Sequence, residues 1–313
     1  MTKRWHFIIP GAILIIGLIL GSFFDLQINV ALFDLKNPFG LIVSSFGMIP
    51  GYGTLAFFGG LLCYLIRKKD NFKTWLKVIF YVLGFAMLGI SIYFLGKDVF
   101  SVNGFESKKL YWLGFVIMGV LMAPVFCLGY WFGKFNKNEK MWIIIIVMSV
   151  VIFVALVPGV TLFKSLMHRP RYRFLVHDDY IGFYNWWERC SNYKEVMERT
   201  GFAKEEFKSF PSGHAAATMC GMICLSYLPL VNDKLKKYQL VFFYGAFAWG
   251  LVVMFARSLV GAHYLSDTCF GALITLVCFY IGNEIVVKKL LPKEESTPEL
   301  EPEESKQEEK EEE

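Results

Sequence analysis

Three short segments carry ionisable and hydroxyl groups at spacings that suit chemistry on an anion. The first is Lys164-Ser165-Leu166-Met167-His168-Arg169-Pro170-Arg171-Tyr172-Arg173. The second is Phe210-Pro211-Ser212-Gly213-His214, and the third runs from Ala256-Arg257 to Ala262-His263-Tyr264-Leu265-Ser266-Asp267. Lys164, Arg171 and Arg257 offer three positive charges, and guanidinium forks match phosphate oxygens. Pro211-Ser212-Gly213 leads into an apolar helix, whose free N–H groups make a phosphate seat. Gly213 lets the backbone approach an oxyanion closely. His263 and Asp267 are four apart and share a helix face if the last helix starts there. A carboxylate on one imidazole nitrogen fixes the tautomer and frees the other nitrogen to attack. His214 has no such partner nearby in sequence and suits a general acid. Together these groups read as phosphoryl transfer through histidine.

Each piece alone has a plain structural explanation. A histidine at a helix start is usually a hydrogen bonder, and an arginine at a span end is usually a headgroup anchor. Pro-Ser-Gly-His alone is also an ordinary capped helix start. It is the ordered combination on one face that makes the catalytic reading.

The elements that must position these groups are set by composition. Of 313 residues, 55% are apolar and 19% are charged, with 31 phenylalanines, and mean hydropathy is +0.46. This excludes a soluble globular enzyme, a disordered chain and a disulfide scaffold. Eight stretches are long and apolar enough to span a bilayer: 6–24, 48–66, 74–96, 111–133, 141–163, 213–231, 239–256 and 268–287. The fold class is therefore all-α, a polytopic membrane helical bundle of about 8 transmembrane helices. The first span follows Lys3 and Arg4 and reads as an uncleaved anchor. Segment 25–47 is half apolar, with Pro38 and Gly40, and reads as an interfacial or partly inserted stretch.

Basic loops mark the cytoplasmic side. Loop 67–73 carries Arg67, Lys68, Lys69 and Lys73, and loop 134–140 carries Lys134, Lys137 and Lys140. Lys234, Lys236 and Lys237 lie in loop 232–238, and Lys288, Lys289 and Lys293 follow the last span. Both termini are thus expected in the cytoplasm. The loops 25–47, 97–110, 164–212 and 257–267, with all three chemical segments, are expected outside. Residues 294–313 hold 11 Glu and 2 Lys, leaving 30 basic and 16 acidic residues elsewhere. The acidic tail reads as disordered. The basic remainder points to anionic membrane lipids; no nucleic-acid fingerprint is visible. The cysteines are scattered and mostly apolar in context, so neither a disulfide framework nor a metal site is expected. Cys220 and Cys224 share a helix face but lack a second ligand pair.

The chain resembles the type 2 phosphatidic acid phosphatase family, the membrane relatives of vanadium haloperoxidases and bacterial acid phosphatases. That family carries Lys-x6-Arg-Pro, Pro-Ser-Gly-His and Ser-Arg-x5-His-x3-Asp in this order, which 164–267 matches. The resemblance implies His214, His263 and Asp267 as catalytic residues, with His263 the nucleophile and His214 the acid. It implies Lys164, Arg171, Ser212, Gly213 and Arg257 as phosphate ligands, with Arg169 a further candidate. It also implies a phosphohistidine intermediate without metal or cofactor, and a phosphatase core at 141–290. Residues 1–140 then hold four N-terminal spans, the resemblance implying two spans beyond the family's usual six, and 291–313 form the disordered acidic tail. Two positions depart from the pattern: Tyr172 stands where proline follows the arginine, and Ala256 replaces the serine of the third motif.

The function these residues imply is hydrolysis of a lipid phosphate on the extracytoplasmic face. The substrate classes are a polyprenyl diphosphate, such as undecaprenyl diphosphate, and a glycerolipid phosphate, and the residues lean toward the diphosphate. Arg169 and Arg173 are candidates for holding a second phosphate. The alternatives are a lipid phosphotransferase on the same scaffold and a catalytically weakened lipid-binding or transport member. Loop 172–210, with Tyr180, Phe183, Tyr184, Trp186 and Trp187, either lies on the outer leaflet to admit a lipid tail or packs on its own bundle.

Overall fold

The computed structural model describes residues 2–101, 108–177 and 181–290. The acidic tail, and Tyr180 of the aromatic loop, lie outside the described residues. Among the described residues the chain is helical without strands. Eight segments are long and apolar enough to cross a membrane: Arg4–Leu32, Pro38–Arg67, Thr74–Val99, Trp112–Phe135, Met141–Leu175, Gly213–Val231, Asp233–Leu259 and Leu265–Leu290. Large apolar side chains such as Ile8, Ile16, Phe23, Val82, Val120 and Val241 point outward. Such a surface suits lipid, not water. The chain is a multi-pass membrane protein.

In chain order the helices are α1 (Ile8–Leu32), α2 (Pro38–Phe46), α3 (Ile49–Arg67), α4 (Thr74–Ser101) and α5 (Lys108–Phe132). Then come α6 (Met141–Val154), α7 (Leu162–Met167), α8 (Tyr172–Leu175) and α9 (Tyr193–Thr200). The last four are α10 (Gly213–Leu225), α11 (Leu228–Val231), α12 (Gln239–Leu259) and α13 (Leu265–Ile285). A wide turn over Ala155–Thr161, carrying Pro158, joins α6 to α7. Proline removes a helical donor there and loosens the ladder.

Segment 25–47 differs from its interfacial reading. The first helix runs on to Leu32, because Asp25 and Asn29 find buried partners instead of ending the span. After a short turn, Asn37 caps α2, its side chain accepting from Gly40 N at 3.0 Å, and Pro38 occupies the first helical turn. The second span is therefore α2 and α3 together.

Two groupings position the site. Helices α3, α4 and α5 pack on one another, and α3 also lies against α10. Helix α1 lies along α13, and α2 along α12. Gly17, Gly21, Asp25 and Asn29 recur every four residues, so they line one face of α1. A Cβ at Gly21 would sit 2.7 Å from the Ser266 backbone nitrogen, so only glycine allows this approach. Arg4 on Glu284, with contacts of 2.6 and 2.9 Å, ties the opposite ends of the same pair. The span before residue 140 that begins the chain is thus packed directly on the helix that carries Asp267.

Candidate active site

The three chemical segments converge at one end of the bundle. Helix α13 begins at Leu265, where Asp267 caps it by accepting from Tyr264 N at 2.9 Å. His263 sits two residues earlier, in the turn from α12. That turn needs Gly261, whose φ is 63° and whose Cβ would meet the Phe33 ring at 2.7 Å. The turn is fixed by bonds from Ala262 N and His263 N to the Arg257 carbonyl, at 3.1 and 3.3 Å.

His263 is fully enclosed, with its side chain 1% exposed. Its Nδ1 lies 2.7 Å from the Ser209 carbonyl oxygen and 3.8 Å from Asp267 Oδ2. The expected carboxylate–imidazole pair is present, with a carbonyl also in reach of the ring. The carbonyl is the direct partner of Nδ1–H, and the carboxylate stands behind it. A carbonyl accepts only, so it fixes the same tautomer and leaves the Nε2 lone pair available. Burial pushes the His263 imidazole well below its ordinary value, against the pull of Asp267 and with the help of Arg257, Arg171 and Lys164. The neutral ring is the form that attacks phosphorus.

Asp267 is held on every side. Ser209 Oγ donates to its Oδ2 at 2.5 Å, and Arg169 Nη1 to its Oδ1 at 2.5 Å. Arg169 Nη2 continues to Asp25 Oδ2 at 2.9 Å, Nη1 also reaches Ser266 Oγ at 2.9 Å, and Nε donates to the Tyr184 carbonyl at 2.8 Å. The guanidinium lies 4.1 Å from the Tyr264 ring centre. Asp25 closes the network, accepting from Ser266 N at 3.0 Å and from Ser266 Oγ. Four residues along the same face of α1, Asn29 donates to the His263 carbonyl at 3.3 Å.

Arg169, a candidate phosphate ligand from sequence, is thus corrected to a buried clamp between two carboxylates. Arg173 is likewise committed: its Nε and Nη2 meet Glu206 at 2.9 and 2.5 Å. Burial alone would raise the Glu206 carboxyl, but the Arg173 bond and the Arg171 charge hold it below the ordinary range. Neither arginine has a free fork for a second phosphate.

The other half of the site is open. Ser212 caps α10: its Oγ accepts from Ala215 N at 3.3 Å, its carbonyl accepts from Ala216 N, and its own N–H donates to the Asp267 carbonyl at 2.9 Å. Among the described residues, the N–H groups of Gly213 and His214, at the helix start, have no hydrogen-bond partner. Lys164, on α7, brings its Cε within 3.8 Å of where a Gly213 Cβ would stand, and its Nζ donates to the Lys208 carbonyl at 2.9 Å. Arg171 and Arg257 lie close enough that each acts on the other's charge, and both act on Lys164. Arg257 Nε and Nη1, Arg171 Nε and His214 Nε2 are buried without a hydrogen-bond partner. The His214 and His263 ring centres are 6.4 Å apart. His214 Nε2 lies 3.9 Å from Asp98 Oδ2, near the end of α4.

The departures and the aromatic loop find places too. Ala256 is buried in an apolar cluster with Val43 and Val253, facing α2. A methyl suits that contact. Tyr172 opens α8 and packs edge-on against Phe33 and Tyr264. The loop has a small core of its own around Phe174, Ile181, Cys190, Val196 and Phe207. Trp186 packs onto the bundle, donating to Ser22 Oγ at 2.9 Å and stacking on Phe210. Trp187 is 51% exposed. Of that pair, Trp187 is left facing outward.

Sequence reading missed Asp25, Asn29, Asp98, Ser209 and Ser266. Asp25 and Asp98 carried a usable signal, since ionisable residues within or ending apolar spans are rarely idle. The four-residue spacing from Gly17 to Asn29 was a second signal. Ser209 had none, because its role runs through a backbone carbonyl and a contact to Asp267, 58 positions away.

No curated protein and no solved structure matches the chain significantly. Residues 140–290 match the model described as the PAP2 superfamily, whose members are generally phosphatases. That matched segment, which carries all three chemical segments of the site, is a PAP2 superfamily domain.

Proposed function

We propose that the protein is a lipid phosphate phosphatase working through a phosphohistidine on His263. One observation carries this reading. Four buried nitrogens on Arg171, Arg257 and His214 have no hydrogen-bond partner in the protein, and they cluster near a neutral, oriented His263. Buried donors left without partners are costly, and an anion with several oxygens satisfies them together.

His263 Nε2 bonds to phosphorus as the bond from phosphorus to the lipid oxygen breaks. His214, protonated, gives its proton to that oxygen, and the alcohol leaves. Water then attacks phosphorus and passes a proton to His214 as the N–P bond breaks, releasing phosphate and restoring both rings. Lys164, Arg171, Arg257 and the N–H groups at the start of α10 balance the charge on the transferring group. These cations take the neutralising role that a metal fills elsewhere, so the reading is of metal-independent chemistry.

The substrate reading follows from the same contacts. One ring of cations suits one phosphate, and Arg169 and Arg173 are committed elsewhere. A lipid phosphomonoester, such as a glycerolipid phosphate, is therefore favoured over a polyprenyl diphosphate. Helix directions put Arg67, Lys134, Lys237 and Lys288 at the end of the bundle opposite the site. Basic loops stay in the cytoplasm, which supports an extracytoplasmic site.

The test is phosphate release by the full chain in detergent micelles, with EDTA present, from phosphatidate, phosphatidylglycerophosphate and undecaprenyl diphosphate. The expected result is release that survives EDTA, is fastest with a monoester, and is lost in His263→Ala. Release only when a hydroxyl acceptor is added would assign a transferase. No release in either case, from folded protein, would overturn the enzymatic reading.

A further inference from the structure

His214 has an acidic neighbour that the sequence around it did not supply. Helix α4 belongs to the part of the chain before residue 140, outside the segment that matches the superfamily. Its end carries Asp98 to within 3.9 Å of His214 Nε2. Both side chains are partly open, 23% and 14% exposed, at the mouth of the site. The other groups facing His214 are Arg257 on α12, Arg171 before α8, Lys164 on α7, and His263 in the turn before α13. All are cationic or imidazole. The charges of Arg257, Lys97, Arg171 and Lys164 also act on Asp98.

This placement is a physical puzzle if Asp98 has no role. A carboxylate beside an anion pocket repels the phosphate and weakens binding. It also stands in the last turn of α4, where the helix end already contributes negative potential. Both features favour a positive charge on the adjacent ring. A general acid must hold its proton until the leaving oxygen arrives, yet nearby cations disfavour the charged imidazole. An opposite charge at this distance works against those cations.

We propose that Asp98 is a positioning residue that keeps His214 protonated, so that an N-terminal span outside the superfamily segment sets the pH range of the acid. The inference rests on the assignment of His214 as the acid of a phosphatase. Asp98 stands 3.9 Å from His214 Nε2 and acts through that ring. Its removal should therefore move a pH limb and leave the chemistry otherwise intact.

The experiment has two arms, both on the full chain in micelles. In the first, kcat for phosphatidate is measured from pH 5 to 9 for the wild type, Asp98→Asn and Asp98→Glu. Loss of a carboxylate partner shifts a titration by about one unit or more. The alkaline limb of Asp98→Asn should move about one pH unit lower. At pH 8 the rate should fall roughly tenfold and at pH 5.5 it should fall little. Asp98→Glu should recover most of the loss.

In the second arm, the ring nitrogens of His214 are titrated by NMR on 15N-histidine protein, with His214→Gln to identify the signal. The His214 midpoint should drop by a similar amount in Asp98→Asn. An equal loss at every pH, a fall in KM with the limb unmoved, or an unchanged His214 midpoint would overturn the inference. If the wild type turns over no lipid phosphate, the proposed function fails, and the titration still decides whether Asp98 controls His214.

Discussion

The two histidines of the site live in opposite surroundings. His263 is sealed, its Nδ1 fixed by the Ser209 carbonyl, with Asp267, Arg169 and Asp25 stacked behind it. His214 sits at the mouth, its Nε2 unpartnered and a carboxylate 3.9 Å away. The contrast follows from the chemistry proposed for each. A nucleophile needs one lone pair held at one angle, which a rigid, fully bonded network provides. An acid must meet an alcohol that then departs with its lipid tail, which needs an opening. The closed side is braced by α1 and the open side is trimmed by α4, so both halves use spans from before residue 140.

The largest expected effect comes from breaking the closed side. Arg169→Ala leaves Asp25 and Asp267 as two uncompensated buried carboxylates. Removing one partner of a buried pair costs about 3–5 kcal/mol. Unfolding in mild detergent should show a loss of that order. A loss below about 1 kcal/mol, the range of exposed pairs, would mean the network is not what braces the site.

A smaller effect concerns pH. Because His263 is held well below its ordinary value, it stays neutral as acid is added, and protonates only after the pH has fallen through that lowered value. The acid limb of kcat/KM should therefore lie below the ordinary imidazole value of about 6.5. A limb at about 6.5 or above, read from kcat/KM between pH 4 and 8, would show that the ring is not enclosed as described. The smallest effect on the fold belongs to the open side. Asp98→Asn should leave the unfolding midpoint nearly unchanged while moving the alkaline limb. If it destabilised the fold as Arg169→Ala does, the contrast between the two sides would collapse.

The chemical end of the bundle was legible in the sequence because its parts are short and local. Ser212, Gly213 and His214 open one helix, and Arg257, His263 and Asp267 bracket one turn. Span count was legible for the same reason, since about 20 apolar residues declare a span. The bracing was not. Asp25 drew no reading of its own, falling in the half-apolar segment after the first span, because nothing near it in sequence answers its charge; its partner, Arg169, is 144 positions on. Arg169 and Arg173 read as free cations because Asp267 and Glu206 are likewise remote in sequence. Position 256 shows the converse, a departure from pattern that becomes ordinary once Val43 of α2 is seen against it.

The most direct test of the central reading is to look for the phosphoryl group on the enzyme. Full-length protein would be mixed with 32P-labelled phosphatidate, quenched in base within milliseconds, and digested for mass spectrometry. Label that is stable in base and labile in acid, mapped to His263 and absent from His263→Ala, is the result expected here. Turnover without any such label, or label on another side chain, would contradict it.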